Sequence, residues 1–150
     1  MPMIDIKLPK GSHDEQTRAT LADRLTTTLL KWEKAPDNDF TRAITWVYFD
    51  DRELHVTGGP NVGKDHYVVL VTVPEGALSD RRKEGLVAEA TEAFIEVTGM
   101  EAEGFDDKVR IWVHIHEVPE GHWGAAGQIV RYKDIVAMVA GRSAEAGATA

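Results

Sequence analysis

The chain has 150 residues, with 17 Lys and Arg against 25 Asp and Glu, a formal charge of −8, 43% apolar residues and no cysteine. That length suits one domain, or two small units sharing a core, and the apolar fraction excludes a disordered acidic chain. Disulfides, iron–sulfur centres, thiol nucleophiles and cysteine-bound zinc are excluded, and no apolar run approaches the ~18 residues of a membrane span. The densest basic run, Arg81-Arg82-Lys83, sits between Asp80 and Glu84. Neither nucleic acid nor an anionic membrane is therefore expected as a partner. The opening MPMIDIKLPKG lacks the basic flank and apolar block of a secretory signal, so a soluble, cytoplasmic protein is expected.

In chain order, residues 3–8 alternate, with Ile4, Ile6 and Leu8 on one face and Asp5 and Lys7 on the other, which predicts a half-buried strand. Gly11 breaks it. Ser12-His13-Asp14-Glu15 has the S-x-x-E form of a capping box. Leu21, Leu25, Leu29 and Trp32 follow at helical spacing, and Pro36 predicts a helix end near Lys34. Residues 44–49, rich in β-branched and aromatic side chains, predict a second strand. The connector 50–65, with Gly58-Gly59-Pro60-Asn61, reads as a turn region. Residues 67–73 are almost wholly apolar, as in a strand covered on both faces. Ser79 is a plausible N-cap, and Leu86, Ala90, Phe94 and Val97 form the stripe of a second helix stopped by Gly99. Residues 109–116 predict a fourth strand. Residues 131–140 fit either a strand or a helix, and the small, polar residues 141–150 predict a flexible tail.

Strand, helix and strand therefore occur twice. Pro9 and Pro74, Gly11 and Gly76, Leu21 and Leu86, and Phe40 and Phe105 each lie 65 residues apart. This register predicts a duplicated β-α-β unit, spanning about 2–58 and 67–125 within a single domain, 1–140. The expected fold is α/β (α+β), a four-stranded sheet with two helices on one face. The other face would be bare, which predicts an oligomer.

Candidate chemistry is sparse. Residues 58–64 fit G-x-x-x-x-G-K, but Asp65 stands where magnesium coordination needs Ser or Thr, and a strand rather than a helix follows; a glycine-rich turn is the better reading. His114 and His116 share a strand face, and His122 is near in sequence. No carboxylate or cysteine at ligand spacing completes a metal set, so no metal and no cofactor are expected. Arg110, Trp112 and His114 fall on one strand face and suggest a pocket wall or an intersubunit surface. No G-x-S-x-G elbow supports a serine hydrolase. Pro2 is the sharpest feature. Proline after Met permits removal of the initiator, which would expose a secondary amine. A free α-amino group titrates near ~7.7–8.0 and lower when buried, so Pro2 can serve as a general base at neutral pH.

Residues 2–8 followed by Gly11-Ser12-His13-Asp14-Glu15-Gln16 resemble the opening of the tautomerase superfamily, as in 4-oxalocrotonate tautomerase. Residues 117–124 resemble the hairpin that ends the same unit. The doubled length and Trp112-Val113-His114-Ile115 resemble the fused branch that includes cis-3-chloroacrylic acid dehalogenase. The resemblance implies a catalytic amino-terminal proline, here Pro2, a homotrimer and a small-molecule substrate. It also shows departures. Ser12, Trp112, Pro74 and Ala77 stand at the positions of the carboxylate-binding arginines, Leu29 replaces the first-helix histidine, and His114 replaces the strand tyrosine.

The expectation is a tautomerase acting on a small 2-oxo acid or related carbonyl compound. Pro2 and His114 would be catalytic, Arg110 and Trp112 would bind substrate, and Arg52 or Arg131 would be borrowed for the anion. The alternatives are a cofactor-independent dehalogenase or hydratase of 3-substituted acrylates, and a non-catalytic ligand-binding trimer.

Overall fold

The computed structural model describes residues 2–53 and 64–148, with side chains to Arg142. The elements run β1 (Met3–Pro9), α1 (Glu15–Glu33), α2 (Asp39–Ala43), β2 (Trp46–Arg52), β3 (Tyr67–Pro74), α3 (Asp80–Thr98), α4 (Phe105–Lys108), β4 (Ile111–Val118), β5 (Gly124–Ala125), β6 (Gln128–Ile129) and α5 (Tyr132–Ala148). The four long strands form one mixed sheet in the order β2-β1-β3-β4. β1 pairs with β2 in parallel and β3 pairs with β4 in parallel, while β1 and β3 meet antiparallel at the centre. Two β-α-β units thus share one sheet, as the repeat predicts.

Alternation explains the core. Ile4, Ile6 and Leu8 of β1 and Val69, Val71 and Val73 of β3 face the same side and are at most 2% exposed. Leu21, Leu25 and Leu29 of α1 and Leu86, Ala90 and Phe94 of α3 close over them. The two helices are joined by Arg24–Glu96 (2.6 Å) and Lys31–Glu89 (2.7 Å), and the Trp32 indole donates to Glu89 Oε2 (2.9 Å). Gly85 is where they interlock: a Cβ there would come within 2.1 Å of the Trp32 ring.

The opposite sheet face carries Trp46, Tyr48, Trp112 and His114. Trp46, Tyr48 and Trp112 remain 59%, 49% and 57% exposed. Among the described residues no helix is long and apolar enough to cross a membrane.

Several boundaries differ from the sequence expectation. Asp14, not Ser12, is the N-cap of α1; its carboxylate accepts the Thr17 N–H at 2.8 Å. An unexpected short helix, α2, is nucleated by an Asn38–Thr41 capping box, and Ile44 ends it, so β2 begins at Trp46. Strand β4 begins at Ile111, two residues late, because residues 105–108 are helical and Val109 caps them. Helix α5 continues past Gly141 to Ala148, where composition predicts a flexible tail. Ile135 is buried, and the Arg142 guanidinium lies 5.7 Å from the Phe40 ring centre, so the helix is held at both ends of its described side chains. The G-x-x-x-x-G-K stretch, apart from Lys64, lies outside the described residues.

Candidate active site

The chain enters β1 through Pro2, which is buried and whose carbonyl accepts the Trp46 N–H at 3.2 Å. Alternation along β1 places Pro2 on the helix side of the sheet, with Ile4 and Ile6. There it lines a cavity of about 450 Å³.

Local sequence makes this cavity. Helix α1 stops in a left-handed residue, Lys34 (φ 57°), and Pro36 forbids its continuation. The buried Thr41 hydroxyl donates to the Pro36 carbonyl, which folds α2 back and brings Ile44 to the wall. The end of β3 supplies Pro74. Helix α5 roofs the space with Tyr132, Ile135, Val136 and Val139. It is tethered at its start, where the Tyr132 N–H donates to Glu120 Oε2 at 3.3 Å and Arg131 lies 3.6 Å from Glu120.

The lining is mainly apolar, with one carboxyl group, that of Glu33. Desolvation pushes this carboxyl up to about 7 from an ordinary 4.5, while the positive charge at the chain's amino end acts in the opposite direction. Sequence reasoning overlooked Glu33. The signal was available: Glu33 follows Leu29 by four and Leu30 by three, so it continues the buried side of α1.

The predicted site residues separate into two groups. Trp112 and His114 lie together on the open sheet face, ring centres 5.9 Å apart. His114 pairs with Leu70, which pairs with Asp5, three residues along β1 from Pro2. At ~3.3 Å per residue that is roughly 10 Å, and the sheet lies between. Arg110 precedes β4 and donates to the carbonyls of Asp65 (3.2 Å) and Glu101 (3.0 Å). Within one chain neither Arg110, Trp112 nor His114 lines the Pro2 cavity. Nor does Arg52, paired with Asp50, or Arg131. Pro74, at a position where the resemblance expects an arginine, does line it. Among the described residues no three His, Asp or Glu side chains are grouped for a metal.

Two fused β-α-β units with a buried proline before the first strand define a recognisable class of fold. Residues 68–133 match the family described as Tautomerase enzyme, a stretch covering the second unit and the hairpin. N1, a member of the cis-3-chloroacrylic acid dehalogenase family, is 21% identical with a TM-score of 0.69, covering 85% of this chain and 82% of that one. Pt0534 inactivated by 2-oxo-3-pentynoate is 18% identical with a TM-score of 0.70, covering 89% and 98%. The symmetric trimer of the Q0 fused 4-OT is 17% identical with a TM-score of 0.68, covering 89% and 98%. These likenesses are of fold. No curated protein matches the chain in sequence. Over residues 68–133 the chain is similar to the Tautomerase enzyme family, and over most of its length it shares the fold of these structures.

Proposed function

We propose that this protein is a tautomerase whose Pro2, freed by removal of Met1, is the general base for keto–enol tautomerisation of a small 2-oxo acid or related carbonyl compound. The observation that carries this reading is the position of Pro2: buried, and on the wall of a cavity large enough for a small molecule. While Met1 remains, the Pro2 nitrogen is an amide without a basic lone pair. Once Met1 is gone it is a secondary amine facing apolar side chains, and desolvation favours its neutral, proton-accepting form. The amine takes a proton from the carbon next to the carbonyl, and the negative charge moves to the carbonyl oxygen, where hydrogen-bond donors lower the barrier. No metal or organic cofactor enters this scheme.

The expected assembly is a homotrimer, like the fused 4-OT trimers. A second copy over the open face would bury Trp46, Tyr48 and Trp112, whose exposure is costly in a lone chain. In that assembly His114 and Trp112 serve a neighbour's cavity, His114 as a donor to the enolate oxygen and Trp112 as its wall. Arg110, at the foot of the same strand, is the weaker candidate for the anionic end of the substrate.

The acetylenic ketone 2-oxo-3-pentynoate tests the reading, because a neutral amine adds across its activated triple bond. The expected result is one adduct per chain on the N-terminal peptide and parallel loss of tautomerase turnover. An unmodified N-terminal peptide in Met1-free protein, with turnover intact, would overturn it. Halide release from 3-chloroacrylate without turnover of an enolisable 2-oxo acid would put the dehalogenase in its place. Saturable ligand binding with neither activity would leave a binding trimer.

A further inference from the structure

The Pro2 cavity contains a second group able to exchange a proton. Glu33 lies in the last turn of α1, three residues after Leu30, and both side chains line the cavity. Leu30, Ile44, Ile135 and Val139 supply apolar wall around it. Its carboxyl makes no hydrogen bond or ion pair among the described residues, although the surface of α1 is laced with such pairs, Arg18–Asp51, Arg24–Glu96 and Lys31–Glu89 among them. A carboxyl in an apolar cavity, facing only the positive charge of the chain's amino end, gives little to stability in its charged form. Its position makes sense if it works on a molecule in that cavity.

We propose that Glu33 is the second proton-transfer group of this site: in its acid form it gives a proton to the substrate's carbonyl oxygen as Pro2 takes one from the adjacent carbon. The proposal rests on the reading of Pro2 as the base. The Pro2 lone pair accepts the proton, the C–H electron pair becomes the C=C bond, and the carbonyl π pair takes the proton of Glu33. The products are the enol, a protonated Pro2 and a Glu33 carboxylate. A proton passing from Pro2 to Glu33 through water restores the starting state. A base and an acid lining one cavity are the arrangement general acid–base catalysis needs.

Burial places the carboxyl titration at about 7, so the acid form predominates below that pH. The other titratable groups lining the cavity are the Pro2 amine, Lys34 and the Tyr132 phenol.

The experiment is a pH profile of kcat and KM on Met1-free protein, with an enolisable 2-oxo acid, for the wild type, Glu33→Gln, Glu33→Asp and Pro2→Ala. The wild type should lose kcat as pH rises through about 7. Glu33→Gln should lose at least about tenfold in kcat with KM changed less than about threefold, and lose that limb. Glu33→Asp, which keeps a carboxyl, should retain the limb and recover part of the rate. A wild-type kcat flat through neutrality, or a Glu33→Gln kcat within about twofold of wild type, would overturn the proposal. If Pro2→Ala is inactive while Glu33→Gln is normal, only the role of Glu33 fails. If Pro2→Ala turns over normally, the reading of Pro2 fails with it.

Discussion

The two units carry different side chains at equivalent positions. The 65-residue offset that relates Pro9 to Pro74 relates Pro2 to Tyr67 and Leu29 to Phe94. In the second unit the Tyr67 and Phe94 rings lie 4.8 Å apart and His13 stacks on Tyr67 at 5.8 Å. Tyr67 and Phe94 are 5% and 0% exposed, so three rings fill that end of the molecule. In the first unit the corresponding residues are a pyrrolidine and a leucine, and an open cavity adjoins Pro2. Duplication supplies the same frame twice, and side-chain volume decides which copy is filled and which leaves a cavity.

The largest effect expected from breaking this contrast is at Pro2. Pro2→Ala should lower kcat/KM on an enolisable 2-oxo acid by about 10²–10⁴-fold, with an unchanged circular dichroism spectrum. The opposite perturbation belongs to the filled end. Phe94→Ala should lower the unfolding free energy by about 3–5 kcal/mol in a denaturant titration, because the surrounding rings cannot collapse onto the void. Gly85→Ala strikes the seam between the units by forcing the Trp32 ring aside. A cost of about 1–3 kcal/mol is expected, visible as a lower Tm and altered tryptophan fluorescence.

The smallest effect is a difference in how the two ends respond to pH. Burial raises the Glu33 carboxyl, so the folded chain holds that proton more tightly than the unfolded chain, and stability from this group falls as pH rises from about 4.5 to about 7. Burial, reinforced by Arg18, lowers His13, so protonation favours the unfolded chain, and stability from this group falls as pH drops below 6.5. Thermal melts across pH 4–8 should show Glu33→Gln flattening the first slope and His13→Asn the second. Identical profiles for all three proteins would show that the two ends do not differ in this way.

Most of the fold was legible in the sequence, because strand alternation at Ile4, Ile6 and Leu8 and helix spacing at Leu21, Leu25 and Leu29 are local patterns. The constant offset made the duplication visible. Element ends were less legible: Asp14 outcompeted Ser12 as N-cap, and α2 arises from a single Asn38–Thr41 box. Of the proposed site, Pro2 alone was singled out from the sequence and also lines the cavity. Trp112 and His114 share a strand side by alternation, while Arg110 falls just before β4, and which cavity a strand side reaches depends on layers and partner chains, which no local pattern encodes. Glu33 escaped notice because a glutamate at a helix end usually meets solvent. Helix α5, almost 100 residues later, is what turns its surroundings apolar.

The central claim is that Pro2 presents a neutral amine to an apolar cavity at physiological pH. The most direct test is an NMR titration of the ¹⁵N-labelled Pro2 nitrogen in protein whose intact mass shows Met1 removed. The account predicts a midpoint clearly below the ~7.7–8.0 of a free α-amino group. A midpoint at or above 8, or a Pro2 nitrogen still acylated by Met1 in protein from its natural host, would contradict it.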